Sequence, residues 1–208
     1  MTRSRKNRGF TLFELLIVIV VIGVLAAMLV IASSEAESTA RTAKIINDLR
    51  MLKTASQHWF FDNAQNIEEA APNASDKGYH IRIDGKIIRL HDALQSDAYG
   101  VKTYISNNHF ALNTGKANDW QNMYAATGGY SVYVGFNNTV CYVVYRISGD
   151  DKKRDNSRLR DKLKSKALST GLVYYNYNGG KQEESVYNRE NFVCMRSFVL
   201  DEQYLKTK

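Results

Sequence analysis

Leu15-Leu16-Ile17-Val18-Ile19-Val20-Val21-Ile22-Gly23-Val24-Leu25-Ala26-Ala27-Met28-Leu29-Val30-Ile31-Ala32 contains no charged residue and is apolar on every face that a helix would present. Such a segment belongs in lipid or in a protein core. As a helix its length is about 27 Å, and about 34 Å when counted back to Phe10, which matches the hydrocarbon thickness of a bilayer. The length predicts a membrane-spanning helix over 10–32. Four cations, Arg3, Arg5, Lys6 and Arg8, precede it. The positive-inside rule therefore places residues 1–9 in the cytoplasm and everything after residue 33 on the outer side.

That cluster also explains most of the formal charge of +7. Without Met1 to Gly9 the balance drops by four to about +3, so global charge is a weak argument for nucleic acid. With 208 residues, 44% of them hydrophobic and 24% charged, the chain has the composition of one folded domain with appendages. Its single proline, Pro72, excludes a proline-rich linker.

An ordinary secretory signal also joins a basic start to an apolar stretch, but it is cut after the apolar part. Ala26-Ala27 and Ala32-Ser33-Ser34 imitate such a site. Glu14 speaks against that reading. A carboxylate inside an apolar segment costs about 2.5–3.5 kcal/mol near the bilayer centre, so it calls for a partner.

Gly9-Phe10-Thr11-Leu12-Phe13-Glu14-Leu15-Leu16-Ile17-Val18 resembles the processing signal of type IV pilins and type II secretion pseudopilins. The resemblance implies that a prepilin peptidase cuts after Gly9, removing residues 1–9, and that the new Phe10 amine is methylated. It implies too that Glu14 meets the N-terminal amine of a neighbouring subunit. Implied partners are other pilin or pseudopilin subunits, an inner-membrane assembly platform, and membrane lipid before assembly. An α+β pilin-like fold is expected, with the long helix laid on an antiparallel sheet. The alternative is an unprocessed single-pass anchor whose Glu14 lies at the cytoplasmic interface. Many major pilins carry a proline within the apolar helix; Met28-Leu29-Val30-Ile31-Ala32 has none, which leans toward a minor or pseudopilin-type subunit.

Beyond residue 33 the chain stays free of Pro and Gly until Pro72, and Ile45, Leu49, Leu52 and Trp59 or Phe60 recur at helical spacing. The helix is predicted to continue through 33–63 as an amphipathic half, with 64–208 as a globular head. Asn66 to Lys77 reads as a loop. Asp84-Gly85 between Tyr79–Ile83 and Lys86–Leu90 reads as a two-residue hairpin turn. A short helix is expected at His91–Ala98, with strands at Val101–Ile105 and His109–Leu112. A second hairpin is expected from Tyr130–Phe136 and Thr139–Ile147, then strands at Gly171–Tyr177 and Phe192–Leu200.

Cys141 and Cys194 lack the close spacing of zinc or redox motifs. Outside the cytoplasm a single disulfide between them is expected, with two buried thiols as the alternative. Asp150 to Lys166 contains Lys152, Lys153, Arg154, Arg158, Arg160, Lys162, Lys164 and Lys166, with Leu159, Leu163 and Ala167 in steps of four. A basic amphipathic helix is the plain reading; a phosphate-contacting surface for DNA, as in a minor pilin for DNA uptake, is the alternative, with Tyr174, Tyr175 and Tyr177 available for stacking. Asp150, Asp151 and Asp155 stand among too many cations for a closed calcium site. His58, His80, His91 and His109 are scattered. No nucleophile, phosphate-loop or cofactor motif points to an enzyme.

Overall fold

The computed structural model describes residues 10–69, 78–105, 112, 129–135, 139–147, 154–178 and 181–200. Helix α1 runs without a break over Leu12–Asn63, about 78 Å at the helical rise. No residue within it breaks helical geometry, because Pro is absent and Gly23 is flanked by strong apolar neighbours. Its first part is fully exposed; burial begins at Ser38 and follows Ile45, Ile46, Leu49, Leu52, Ala55, Trp59 and Phe60. The predicted stripe is therefore the core face, and both Trp59 and Phe60 belong to it.

After α1 a three-stranded antiparallel sheet forms in the order β1 (Ile67–Glu69), β2 (Tyr79–Ile83), β3 (Lys86–Arg89). The turn between β2 and β3 has Asp84 at φ 50° and Gly85 at φ 77°, the pair of left-handed residues that a type I′ hairpin requires. Helix α2 covers Leu90–Leu94, shorter than the expected His91–Ala98. Val101–Tyr104 is a 3-10 turn, not a strand. Of the expected strand at 109–112, only Leu112 is described, bridging to Tyr130.

A larger antiparallel sheet has the order β4 (Tyr130–Gly135), β5 (Val140–Arg146), β8 (Phe192–Val199), β6 (Leu172–Asn178), β7 (Lys181–Val186). Helix α3, Arg154–Thr170, precedes β6. One face of this sheet meets α1 and α3 through Val132, Cys141, Val143, Met195, Leu159 and Leu163. Polar groups fasten α1 to this sheet and to the segment after α2. Tyr130 donates to the buried Asp48 carboxylate at 2.6 Å, Gln57 Nε2 donates to the Ser197 carbonyl at 2.9 Å, and Trp59 Nε1 donates to the Tyr99 carbonyl at 2.7 Å. Each satisfies a group that would be costly to bury alone.

The expected disulfide is not present: Cys141 and Cys194 are both free and buried. The pairing of β5 with β8 explains why. Cys194 lies opposite Val144, three positions along β5 from Cys141, or about 10 Å. Moreover, Cys141 packs with the face toward α1, whereas Cys194 joins Tyr133, Tyr142 and Val144 on the other face. A disulfide needs Cα atoms roughly 4.4–6.8 Å apart and converging Cβ bonds, and these diverge. Burial pushes both thiols well above their usual range, which leaves them protonated and poorly reactive. The expected result is that reductant does not change the unfolding midpoint and that both thiols react with iodoacetamide only after unfolding. A mass two units lower for the untreated protein, restored by reduction, would contradict this geometry.

Candidate functional site

The N-terminal end of α1 is built by Thr11 and Glu14 capping its first turn. Phe10 is 83% exposed and lies directly before Thr11, whose extended backbone (φ −80°, ψ 151°) makes it the cap. Thr11 Oγ1 accepts the Glu14 amide at 3.2 Å. In return Glu14 Oε2 accepts the Thr11 amide at 2.8 Å and the Thr11 hydroxyl at 2.9 Å. This is a reciprocal capping box, in which two amides left over at a helix start are satisfied locally. Thr11 was given no role by the sequence reading, although Thr-x-x-Glu before an apolar run is the written signature of this motif.

Glu14 thus sits on the surface of the isolated chain with its carboxylate held by its own first turn. Above it, residues 11–33 are exposed at every position, and the helix contains an 18-residue window of mean hydropathy 3.4, long and apolar enough to cross a membrane. A contiguous apolar surface of this extent requires lipid or other protein. Gly9, the residue before the expected cut, lies outside the described residues.

The basic segment divides differently from its sequence pattern. Lys152 and Lys153 lie outside the described residues, and Arg154 is the first residue of α3. Arg158 donates to the Ser34 hydroxyl. Arg160 is buried and donates to Asn191 Oδ1. Lys162 pairs with the Glu35 carboxylate at 2.8 Å and also reaches Thr39; its hydrogen bond and charge lower the pKa of Glu35. Three of the eight candidate DNA contacts therefore fasten α3 to α1 and to the loop before β8, while Lys164 and Lys166 remain exposed. Tyr174 stacks obliquely on Phe192 at 5.1 Å.

His91 is half-buried, touches Gln95 and meets Tyr133 edge-on; loss of hydration lowers its pKa, the behaviour of a packed histidine. Among the described residues no group of three or more His, Cys, Asp or Glu could hold a metal ion.

The prokaryotic N-terminal methylation motif matches residues 4–30, the span containing Gly9, Phe10, Thr11 and Glu14. The chain is type IV pilin-like. It is 30% identical over 122 residues to the type IV major pilin protein PilA of Myxococcus xanthus, covering 55% of each chain. It is also 28% identical over 68 residues to a fimbrial protein of Pseudomonas aeruginosa, covering 33% of this chain and 44% of the relative. The pilin-like chain thus spans about half the length of the curated relatives it matches. No solved structure matches it. The α+β architecture, a long exposed-to-buried helix on antiparallel sheets, agrees with this family.

Proposed function

We propose that the protein is a structural subunit of a type IV pilus or type II secretion-like filament, assembled through α1 after removal of residues 1–9. The observation that carries this reading is the join at Glu14: a carboxylate in the first turn of a helix whose next eighteen residues are apolar and bare. A prepilin peptidase working on the cytoplasmic side cuts after Gly9 and leaves a Phe10 amine, which is methylated. Segment 10–32 holds the subunit in the inner membrane, N-terminus inward and head outward, until the assembly platform passes it to a filament. If that filament is a surface pilus, the subunit becomes extracellular.

Assembly solves two problems together. Packing α1 against other α1 helices covers the apolar surface. It also brings an ammonium group to a carboxylate, so that neither remains unpaired in an apolar setting. The unbroken α1 supports a minor pilin or pseudopilin-like subunit. The engagement of Arg158, Arg160 and Lys162 within the chain favours scaffold over DNA uptake as the purpose of α3.

Mass spectrometry of the membrane form tests the processing step. The expected N-terminal peptide starts with N-methyl-phenylalanine at Phe10. An intact leader beginning at Met1 in assembled material would overturn the proposal.

A further inference from the structure

Helix α3 climbs beside α1 from the level at which the apolar run ends. Arg158 donates to the Ser34 hydroxyl, Lys162 reaches Glu35 and Thr39, and Lys166 and Thr170 line one groove with Lys44 and Arg50. Successive turns of α3 thus meet successively later residues of α1, so the two helices rise in the same direction. Ser34 stands only two residues, about 3 Å, beyond Ala32. Helix α3 starts at Arg154, one turn before Arg158, so its backbone begins about 6 Å lower, level with the end of the apolar run. No linker lifts the head away from that level, because α1 is continuous through both parts. With a headgroup layer of about 5–7 Å on each side of the hydrocarbon, positions 33–37 of α1 pass through the outer one.

We infer that Arg158 takes the phosphate of an outer-leaflet phospholipid and seats the head on the membrane surface. The inference rests on the reading of segment 10–32 as membrane-spanning. Ser34 puts the guanidinium at the depth of the headgroups, where the available anion is a phosphodiester. A guanidinium presents five N–H donors in a planar fork that matches phosphate oxygens. Ser34 takes one of them, and Arg158 makes no other hydrogen bond or ion pair among the described residues. The hydroxyl orients the guanidinium without neutralising it, which leaves the rest of the fork for an anion.

The neighbouring acids are already engaged. Glu35 lies near Arg158 but pairs with Lys162 at 2.8 Å. Asp161, three residues further along α3, is held by Arg189 at 2.8 Å, and Arg189 also donates to Ser157. Glu37 sits about 200° round α1 from Glu35, on the side away from α3. The cations higher on the rod do not compete for lipid. Lys44 is ten residues, about 15 Å, above Ser34, and Arg50 and Lys166 share its groove. Basic side chains next to a membrane span are drawn to anionic headgroups over only a short range, so Arg158 is the one placed to use that attraction.

The test uses the full chain in vesicles of phosphatidylcholine and phosphatidylglycerol in equal parts, in phosphate-free buffer, so that lipid is the source of phosphorus. With arginine labelled by carbon-13 at Cζ, solid-state NMR dephasing by phosphorus-31 reads any guanidinium within about 4–5 Å of a headgroup, the spacing of a paired guanidinium and phosphate. The expected result is a dephased arginine signal that disappears in Arg158→Gln and persists in Arg50→Gln. Arg3, Arg5 and Arg8, where the leader is retained, add a background that both variants share. Arg158→Lys covers the case in which the glutamine variant does not fold, since it keeps the cation; with labelled lysine it should show the contact at position 158. A spectrum that Arg158→Gln leaves unchanged, or no contact in the lysine variant, overturns the seat. Alkaline carbonate extraction of the same vesicles separates the two readings. A chain that resists carbonate without an Arg158 contact overturns the seat and leaves the spanning segment standing. A chain stripped by carbonate while the Arg158 contact is present overturns the spanning segment and leaves the seat.

Discussion

Replacing Glu14 with alanine is expected to leave membrane insertion intact and to abolish filaments. The loss should exceed that of any other single substitution in 10–32. An ammonium left unpaired in an apolar contact costs about 2.5–3.5 kcal/mol, roughly a hundredfold for each subunit added. Alanine also removes the acceptor for the Thr11 amide and hydroxyl, so a frayed helix start offers a competing explanation. Glu14→Gln separates the two. Glutamine keeps an oxygen for the Thr11 amide and therefore the cap, but it has no charge for an amine. Sheared-filament yield, compared with the amount of processed protein in membranes, reads the result. Assembly by Glu14→Gln at the unsubstituted level would refute the charge role and leave capping as the whole function of Glu14.

The largest expected loss of stability comes from Trp59→Ala. Trp59 is fully buried where α1 meets the head, and its indole N–H holds the Tyr99 carbonyl. Truncating a buried aromatic of this size costs about 3–5 kcal/mol, a large share of the roughly 5–15 kcal/mol that keeps a domain folded. Trp59→Phe should cost less, because the ring volume is mostly kept and only the bond to Tyr99 is lost. Urea unfolding of the detergent-extracted protein, followed by circular dichroism, measures both. A midpoint unchanged by alanine would mean that α1 and the head do not share a core.

The parts of this structure readable in the sequence are those with a strong local period or a turn with a steric requirement. The apolar run and the stripe from Ile45 to Phe60 define α1 to its observed end at Asn63, and Asp84-Gly85 defines the β2–β3 hairpin. The parts missed lack such a signal. Strand β1 is three residues long and ends in two glutamates, while β7, Lys-Gln-Glu-Glu-Ser-Val, shows no apolar alternation because it is the outermost strand of its sheet. Val101–Tyr104 has β-branched residues but turns as 3-10, since it follows Gly100. A Cβ on Gly100 would lie 2.4 Å from the Ser96 carbonyl oxygen, so the chain doubles back there too tightly for a strand.

The free state of Cys141 and Cys194 and the inward engagement of part of the basic segment were illegible in the sequence for a shared reason. Each depends on which way side chains face across elements distant in sequence. Strand register puts Cys141 and Cys194 on opposite faces. The basic residues of α3 were read as a free charged surface, yet Lys162 faces Glu35, more than a hundred residues earlier, and Arg160 faces Asn191. In the candidate site, Phe10 and Glu14 stand out in the sequence because the capping geometry they belong to is local. A pocket lined by Lys44, Arg50 and Lys166 does not stand out in the sequence, because Lys166 reaches it only through the packing of α3 on α1.

The continuity of α1 has a mechanical consequence. The residues that would grip lipid or neighbouring helices and the residues at the centre of the head core lie on one rigid rod, with no hinge between Ala32 and Ile45. Tension applied to the head travels along helical hydrogen bonds straight into the anchored segment, and the head cannot swivel on a linker to escape it. Its azimuth is locked to the phase of the rod at about 100° per residue. One residue inserted between Ala32 and Ile45 would therefore turn the outward surface of each subunit by more than a quarter of a circle while lifting it only about 1.5 Å.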